Sequence, residues 1–106
     1  MPTHLVGAPS KMDAIMEVAG EHDLLVIEDC AQTVGTKYKG KRTGTIGDVG
    51  AFSLQLHKVI TTGDGGVVAT NDDKLYERAA RYQDHGCLRG VDSYTDNEAF
   101  VGSVTG

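Results

Sequence analysis

Four aliphatic residues in a row, Leu24-Leu25-Val26-Ile27, run directly into two acids, Glu28 and Asp29. A short continuous run of this kind suits a strand covered on both faces, as in a parallel sheet. It is far too short to cross a membrane. Acids at the carboxyl end of such a strand stand where open α/β sheets make their ligand contacts. Upstream, Met12, Ile15, Met16 and Ala19 recur at helical spacing and predict a half-buried helix. Ser10 and Asp13 have the spacing of a capping box, which predicts that the helix starts at Ser10. Gly20 to Asp23 end it.

Downstream, residues 35 to 47 predict an exposed β-hairpin followed by a turn-rich loop. Val49 to Leu54 predicts a strand with Ala51 and Ser53 on one face and Phe52 and Leu54 on the other. Val67 to Thr70 predicts another, and the short Thr61 to Gly66 connection favours an antiparallel pair. Asn71 or Asp72 is placed to cap a second helix, roughly residues 73 to 84, with Leu75, Ala79 and Tyr82 on one side. The element order predicts an α/β fold, a mainly parallel sheet with flanking helices. Residues 1 to 90 are expected to form the ordered part, and 91 to 106 a loosely ordered tail.

Composition narrows the function. Fifteen acidic against ten basic side chains leave a net charge of −5 with no basic block, which argues against a nucleic-acid partner. The Lys37 to Arg42 cluster is broken by Tyr38 and Gly40 and reads as a solvated hairpin. Two cysteines, Cys30 and Cys87, have no metal spacing and are too few for a disulfide framework, so a cytoplasmic location and no metal are expected. The opening Met-Pro-Thr-His has no positive n-region of a secretory signal. Eight of the fourteen glycines fall between residues 35 and 66, where backbone must turn or approach something closely.

Singly, the polar residues of this region are bland. Asp29 reads as a strand-end turn former, Lys58 as a surface lysine, and Thr62-Gly63-Asp64-Gly65-Gly66 as a turn. Together they match what a pyridoxal-phosphate enzyme requires. Such an enzyme needs a lysine that forms an imine with the cofactor aldehyde. It needs an acid that keeps the pyridine nitrogen protonated, and a hydroxyl for the phosphate. Asp29, Ser53 and Lys58 have those types in one chain order.

The same residues carry a resemblance. Val26-Ile-Glu-Asp-Cys-Ala-Gln, the Tyr38 to Asp48 run, and Ala51-Phe-Ser-Leu-Gln-Leu-His-Lys-Val-Ile-Thr-Thr-Gly-Asp-Gly-Gly resemble the nucleotide-sugar aminotransferases of the DegT/StrS type. His4-Leu-Val-Gly-Ala-Pro and Met12-Asp-Ala-Ile are similar too. The resemblance implies the large domain of an aspartate-aminotransferase-type fold (fold type I), of which this chain is a part. It implies Asp29 on the pyridine nitrogen, Gln32 near the phenolic oxygen, Ser53 on the phosphate and Lys58 as Schiff-base lysine and proton shuttle. Family dehydratases carry histidine at the Lys58 position, so Lys58 favours transamination. The implied reaction moves an amino group from glutamate or glutamine to a keto-sugar or keto-cyclitol, in a homodimer. Relatives are several times longer, so the chain alone is expected to be inactive. Two alternatives are a non-catalytic remnant of that fold and a phospho-receiver domain, which also pairs strand-end acids with a later lysine.

Overall fold

The computed structural model describes residues 1–83. The chain divides into two compact units, Met1–Asn71 and one that begins at Asp72. The expected boundary at residue 90 and the expected tail lie outside the described residues.

The first unit holds α1 (Met12–Glu21), β1 (Ile27–Asp29), β2 (Lys37–Tyr38), β3 (Lys41–Arg42), β4 (Val49–Ser53) and β5 (Gly66–Ala69). Three strands form one sheet in the order β1-β4-β5. β1 pairs with β4 in parallel, and β4 with β5 antiparallel, as the short connection requires. A parallel bridge from Thr3 to Asp29 lays the N-terminal arm along the other edge of β1. The described sheet is therefore mixed, where a mainly parallel one was expected. The class is α/β.

Helix α1 buries the predicted stripe. Met12 and Ala19 are buried with Val26, and Ile15, Met16, Tyr38 and Ile46 pack against them. Its start differs from the expectation. Lys11 is the N-cap residue and no side chain caps the helix. The Ser10 hydroxyl instead donates to the Thr3 carbonyl at 2.9 Å, and the Ser10 amide to His4 Nδ1 at 3.0 Å. Asp13 turns away to the Tyr38 hydroxyl and Lys39 Nζ, tying the hairpin to the helix. Those two bonds, with the lysine's the larger effect, hold the Asp13 carboxyl well below the usual carboxylate range.

The aliphatic run is also placed differently. The strand is Ile27–Asp29, and Leu24 and Leu25 are 59% and 67% exposed. The reason is local hydrogen bonding. The Leu24 amide closes the helix end on the Ala19 carbonyl, and the Val26 amide is taken by Asp48 Oδ2 at 2.7 Å. The ladder to β4 starts only at Ile27. Leu24 and Leu25 line an open apolar groove of about 380 Å³ with Pro2, Ile15 and Val18.

The hairpin β2–β3 turns on Lys39 and Gly40, both at positive φ (47° and 86°), as a two-residue loop with the twist of its strands demands. The loop after it packs under the sheet at Gly50. A Cβ built there meets the Gly44 carbonyl oxygen at 2.3 Å. The contact is backbone on backbone, so neither side yields by a rotamer change. Gly50→Ala is expected to cost about 3 kcal/mol, the upper range for overpacking. A fall in the urea midpoint at unchanged slope checks it.

In the second unit, α2 spans Asp73–Gln83. Asp72 is the cap, its Oδ1 accepting from the amides of Lys74 at 2.8 Å and Leu75 at 2.9 Å. Asp72→Ala is expected to lower helix stability by about 1 kcal/mol, read as lost α2 amide protection. Leu75 and Ala79 are half-buried as predicted, whereas Tyr82 is 56% exposed.

Candidate active site

Side chains alternate along a strand, and directly paired residues of neighbouring strands share a face. The register Asp29 to Ala51 therefore puts Asp29, Ala51 and Ser53 on one face of the sheet. Glu28, Gly50 and Phe52 take the other face. Asp29 is the last residue of β1 and Ser53 the last of β4. Both half-buried side chains thus stand at the carboxyl ends of two parallel neighbours.

Asp29 Oδ1 accepts the Ala31 amide at 3.0 Å, and its second oxygen has no partner among the described residues. Gln32 is exposed, and its Oε1 accepts the Val6 amide at 3.1 Å. That bond leaves the Gln32 NH₂ group as the free end. The Ser53 hydroxyl takes a long 3.4 Å contact from the Gln55 amide. Its own proton has no acceptor among the described residues.

Lys58 is half-buried in the segment that leaves β4. The base of this loop is pinched at Leu54, whose amide donates to the Gly65 carbonyl at 2.8 Å and whose carbonyl accepts the Thr62 amide at 3.0 Å. Thr61 Oγ1 adds a bond to the Leu54 carbonyl and accepts the Gly63 amide. Gly63 sits at φ 86°, which the turn requires and a side chain rarely adopts. Within the loop the Lys58 amide donates to the Gln55 carbonyl at 2.9 Å, and Gln55 Oε1 accepts the His57 amide at 3.0 Å. Among the described residues, no hydrogen bond or ion pair reaches the Lys58 amine. None joins the four candidate side chains to one another.

Behind Asp29, on the opposite face, lies a feature that residue types alone did not reveal. Glu28 is fully buried. Its Oε2 accepts from His4 Nε2 at 2.9 Å and the Gly44 amide at 2.8 Å. Its Oε1 accepts the amides of Ile46 and Gly47, each at 2.7 Å. Burial pushes the Glu28 carboxyl up, but the amides of Gly47, Gly44 and Ile46, with His4, outweigh it and hold the group below its ordinary value of 4.5. Donor atoms of His4, Glu28 and Cys30 lie within 4.8 Å of one another. Both His4 nitrogens and both Glu28 oxygens are already engaged, and burial pushes the Cys30 thiol up. The cluster is a hydrogen-bonded knot, not an open ligand set.

An α/β sheet with an acid, a hydroxyl and a lysine-bearing loop at its carboxyl edge is the arrangement of a ligand-binding α/β domain. The comparisons agree with this class. Residues 1–105 match the model of the DegT/DnrJ/EryC1/StrS aminotransferase family, and the chain belongs to that family. It is 50% identical over 86 residues to a GDP-perosamine synthase of Escherichia coli, covering 81% of this chain and 24% of that protein. It is 41% identical over 101 residues to an L-glutamine:2-deoxy-scyllo-inosose aminotransferase of Micromonospora echinospora, covering 95% of this chain and 23% of that one. The crystal structure of an aminotransferase from Psychrobacter cryohalolentis superposes with a TM-score of 0.79 at 43% identity, over 89% of this chain and 25% of the other. The chain thus spans about a quarter of the length of the relatives it matches. Family membership displaces the phospho-receiver alternative. Among the described residues, no helix is long and apolar enough to cross a membrane.

Proposed function

We propose that this chain contributes the lysine edge of a pyridoxal-phosphate site that transfers an amino group from glutamate or glutamine to a keto-sugar or keto-cyclitol. The observation that most supports this is the shared face of Asp29 and Ser53, with the Lys58 loop leaving directly from Ser53. The donor set fits the cofactor. An unpartnered carboxylate oxygen, an amide NH₂, a hydroxyl and an amine are the functions that the ring nitrogen, phenolic oxygen, phosphate and aldehyde call for. When bound, pyridoxal phosphate supplies an electron sink for negative charge at the donor's α-carbon.

The chain's residues do the rest. The free Asp29 oxygen accepts a hydrogen bond from the protonated ring nitrogen and stabilises that proton. Gln32 directs its NH₂ toward the phenolic oxygen. Ser53 donates to the phosphate. Lys58 would hold the cofactor through its amine, and that amine, when free, would accept and return a proton beside the reacting carbon. The pinched base of the loop keeps the Lys58 amine on a short tether, so proton transfer needs no large search. The competent unit is a cytoplasmic homodimer that takes a keto-sugar or keto-cyclitol and an amino-acid donor, with no nucleic acid and no membrane.

The test is transfer of ¹⁵N from labelled glutamate or glutamine to a keto-sugar nucleotide. A chimera in which this segment replaces its counterpart in the Psychrobacter relative is expected to turn over, and its Lys58→Ala form is not. The 106-residue chain by itself is expected to be at least about a hundredfold slower, since a loosely supported site loses activity steeply. An active Lys58→Ala chimera would reject the role of the lysine. Steady turnover by the short chain would reject its dependence on further structure.

A further inference from the structure

Among the described residues, no hydrogen bond joins Glu28 or His4 to the four candidate side chains, yet the arm that carries His4 bonds to both Asp29 and Gln32. The N-terminal arm brackets both residues. The Asp29 amide donates to the Pro2 carbonyl at 2.8 Å, and the His4 amide donates to the Asp29 carbonyl at 3.0 Å. Two residues on, the Val6 amide holds Gln32 Oε1, and the Gly7 amide donates to the Gln32 carbonyl at 3.2 Å. The arm therefore fixes the Asp29 backbone and decides which end of the Gln32 amide is free. Little apolar packing holds this arm, because Leu5 and Val6 are 56% and 83% exposed. Its one fully buried side chain is His4.

His4 is fixed at both nitrogens. Nδ1 accepts the Ser10 amide, so Nε2 carries the hydrogen and donates to Glu28. Glu28 in turn is held by three backbone amides of the 44–47 loop. Glu28 and Asp29 are neighbours in β1, so locking one on the far face sets the pleat that aims the other at the near face. A simple staple for the 44–47 loop needs only the three amides. The bond to His4 carries the constraint across to the arm.

We infer that His4 and Glu28 are positioning residues for the cofactor site: their buried hydrogen bond anchors the arm that aims Asp29 and presents the Gln32 NH₂. This rests on the pyridoxal-phosphate reading above. An acid holding a proton on the ring nitrogen and a donor on the phenolic oxygen both withdraw electron density. Together they lower the pH at which the lysine-linked cofactor loses its proton. Loosening both raises it.

The experiment is a pH titration of the cofactor's visible absorbance in the full-length holoenzyme. His4→Phe keeps a planar ring, somewhat larger, and removes both ring nitrogens. Its midpoint is expected to rise by about one pH unit, a tenfold change in proton affinity. Asp29→Asn is expected to move it the same way. His4→Gln, which still donates toward Glu28, is expected to recover at least about half of the shift. If His4→Phe does not fold, Glu28→Gln decides the matter, with a rise expected. Borohydride fixation separates the two claims. A parent with no cofactor on Lys58 overturns the reading and this inference with it. A folded His4→Phe or Glu28→Gln protein, linked at Lys58 and titrating at the parent's midpoint, overturns this inference alone.

Discussion

Asp29→Asn is expected to slow the amino-donor half-reaction by at least about a hundredfold while leaving cofactor affinity nearly unchanged. A carboxylate paired with a ring proton matters most when negative charge develops on the reacting carbon, which is a transition-state effect. A loss of roughly 3 kcal/mol from that stabilisation corresponds to the hundredfold. The bland alternative makes a different prediction. Asp29 Oδ1 accepts the Ala31 amide, a turn contact that asparagine reproduces with its own carbonyl oxygen. If that turn is all Asp29 does, Asp29→Asn leaves single-turnover absorbance changes at the parent's rate. The substitution thus separates the two roles at one position.

Glu28→Ala is expected to be the most destabilising single change in the first unit, by at least about 4 kcal/mol. Breaking a buried charged network by removing one partner costs about 3–5 kcal/mol, because the others are left unsatisfied. Here the groups left behind are the amides of Gly44, Ile46 and Gly47 and the ring N–H of His4. The parent should carry the matching pH signature. Because the folded Glu28 carboxyl lies below its ordinary value of 4.5, its contribution is fully present above that pH. It is lost as the pH falls through the lower folded value. Glu28→Gln should flatten that acid limb. Denaturant midpoints between pH 3 and 7 that coincide in slope for parent and Glu28→Gln would show that the knot contributes no such dependence.

Local patterns carried much of the fold. The Met12, Ile15, Met16, Ala19 stripe is the buried face of α1 because helical spacing alone determines it. The Lys39-Gly40 turn and the β4–β5 antiparallel pair follow from loop length. Residue type and chain order suggest one site for Asp29 and Ser53, and the register puts both on one face of the sheet. The failures share a cause. The hydrophobicity of Leu24 and Leu25 predicts a strand, but Asp48, 22 residues beyond Val26, takes the Val26 amide. The spacing predicts Ser10 as a cap, but Thr3 and His4 compete for it. The His4–Glu28 bond spans 24 residues of sequence and has no spacing to betray it. A lone histidine in an arm and the first of two strand-end acids look ordinary until the fold brings them together. The Gln55 side chain shapes the turn that leads to Lys58, a role its residue type does not announce.

Lys58 is the residue to which pyridoxal phosphate is expected to attach. Borohydride reduction of the cofactor-loaded protein, followed by proteolysis and mass mapping, tests it directly. A single phosphopyridoxyl adduct on the peptide containing Lys58 is expected. An adduct on Lys37, Lys39 or Lys41, with Lys58 unmodified, would contradict it.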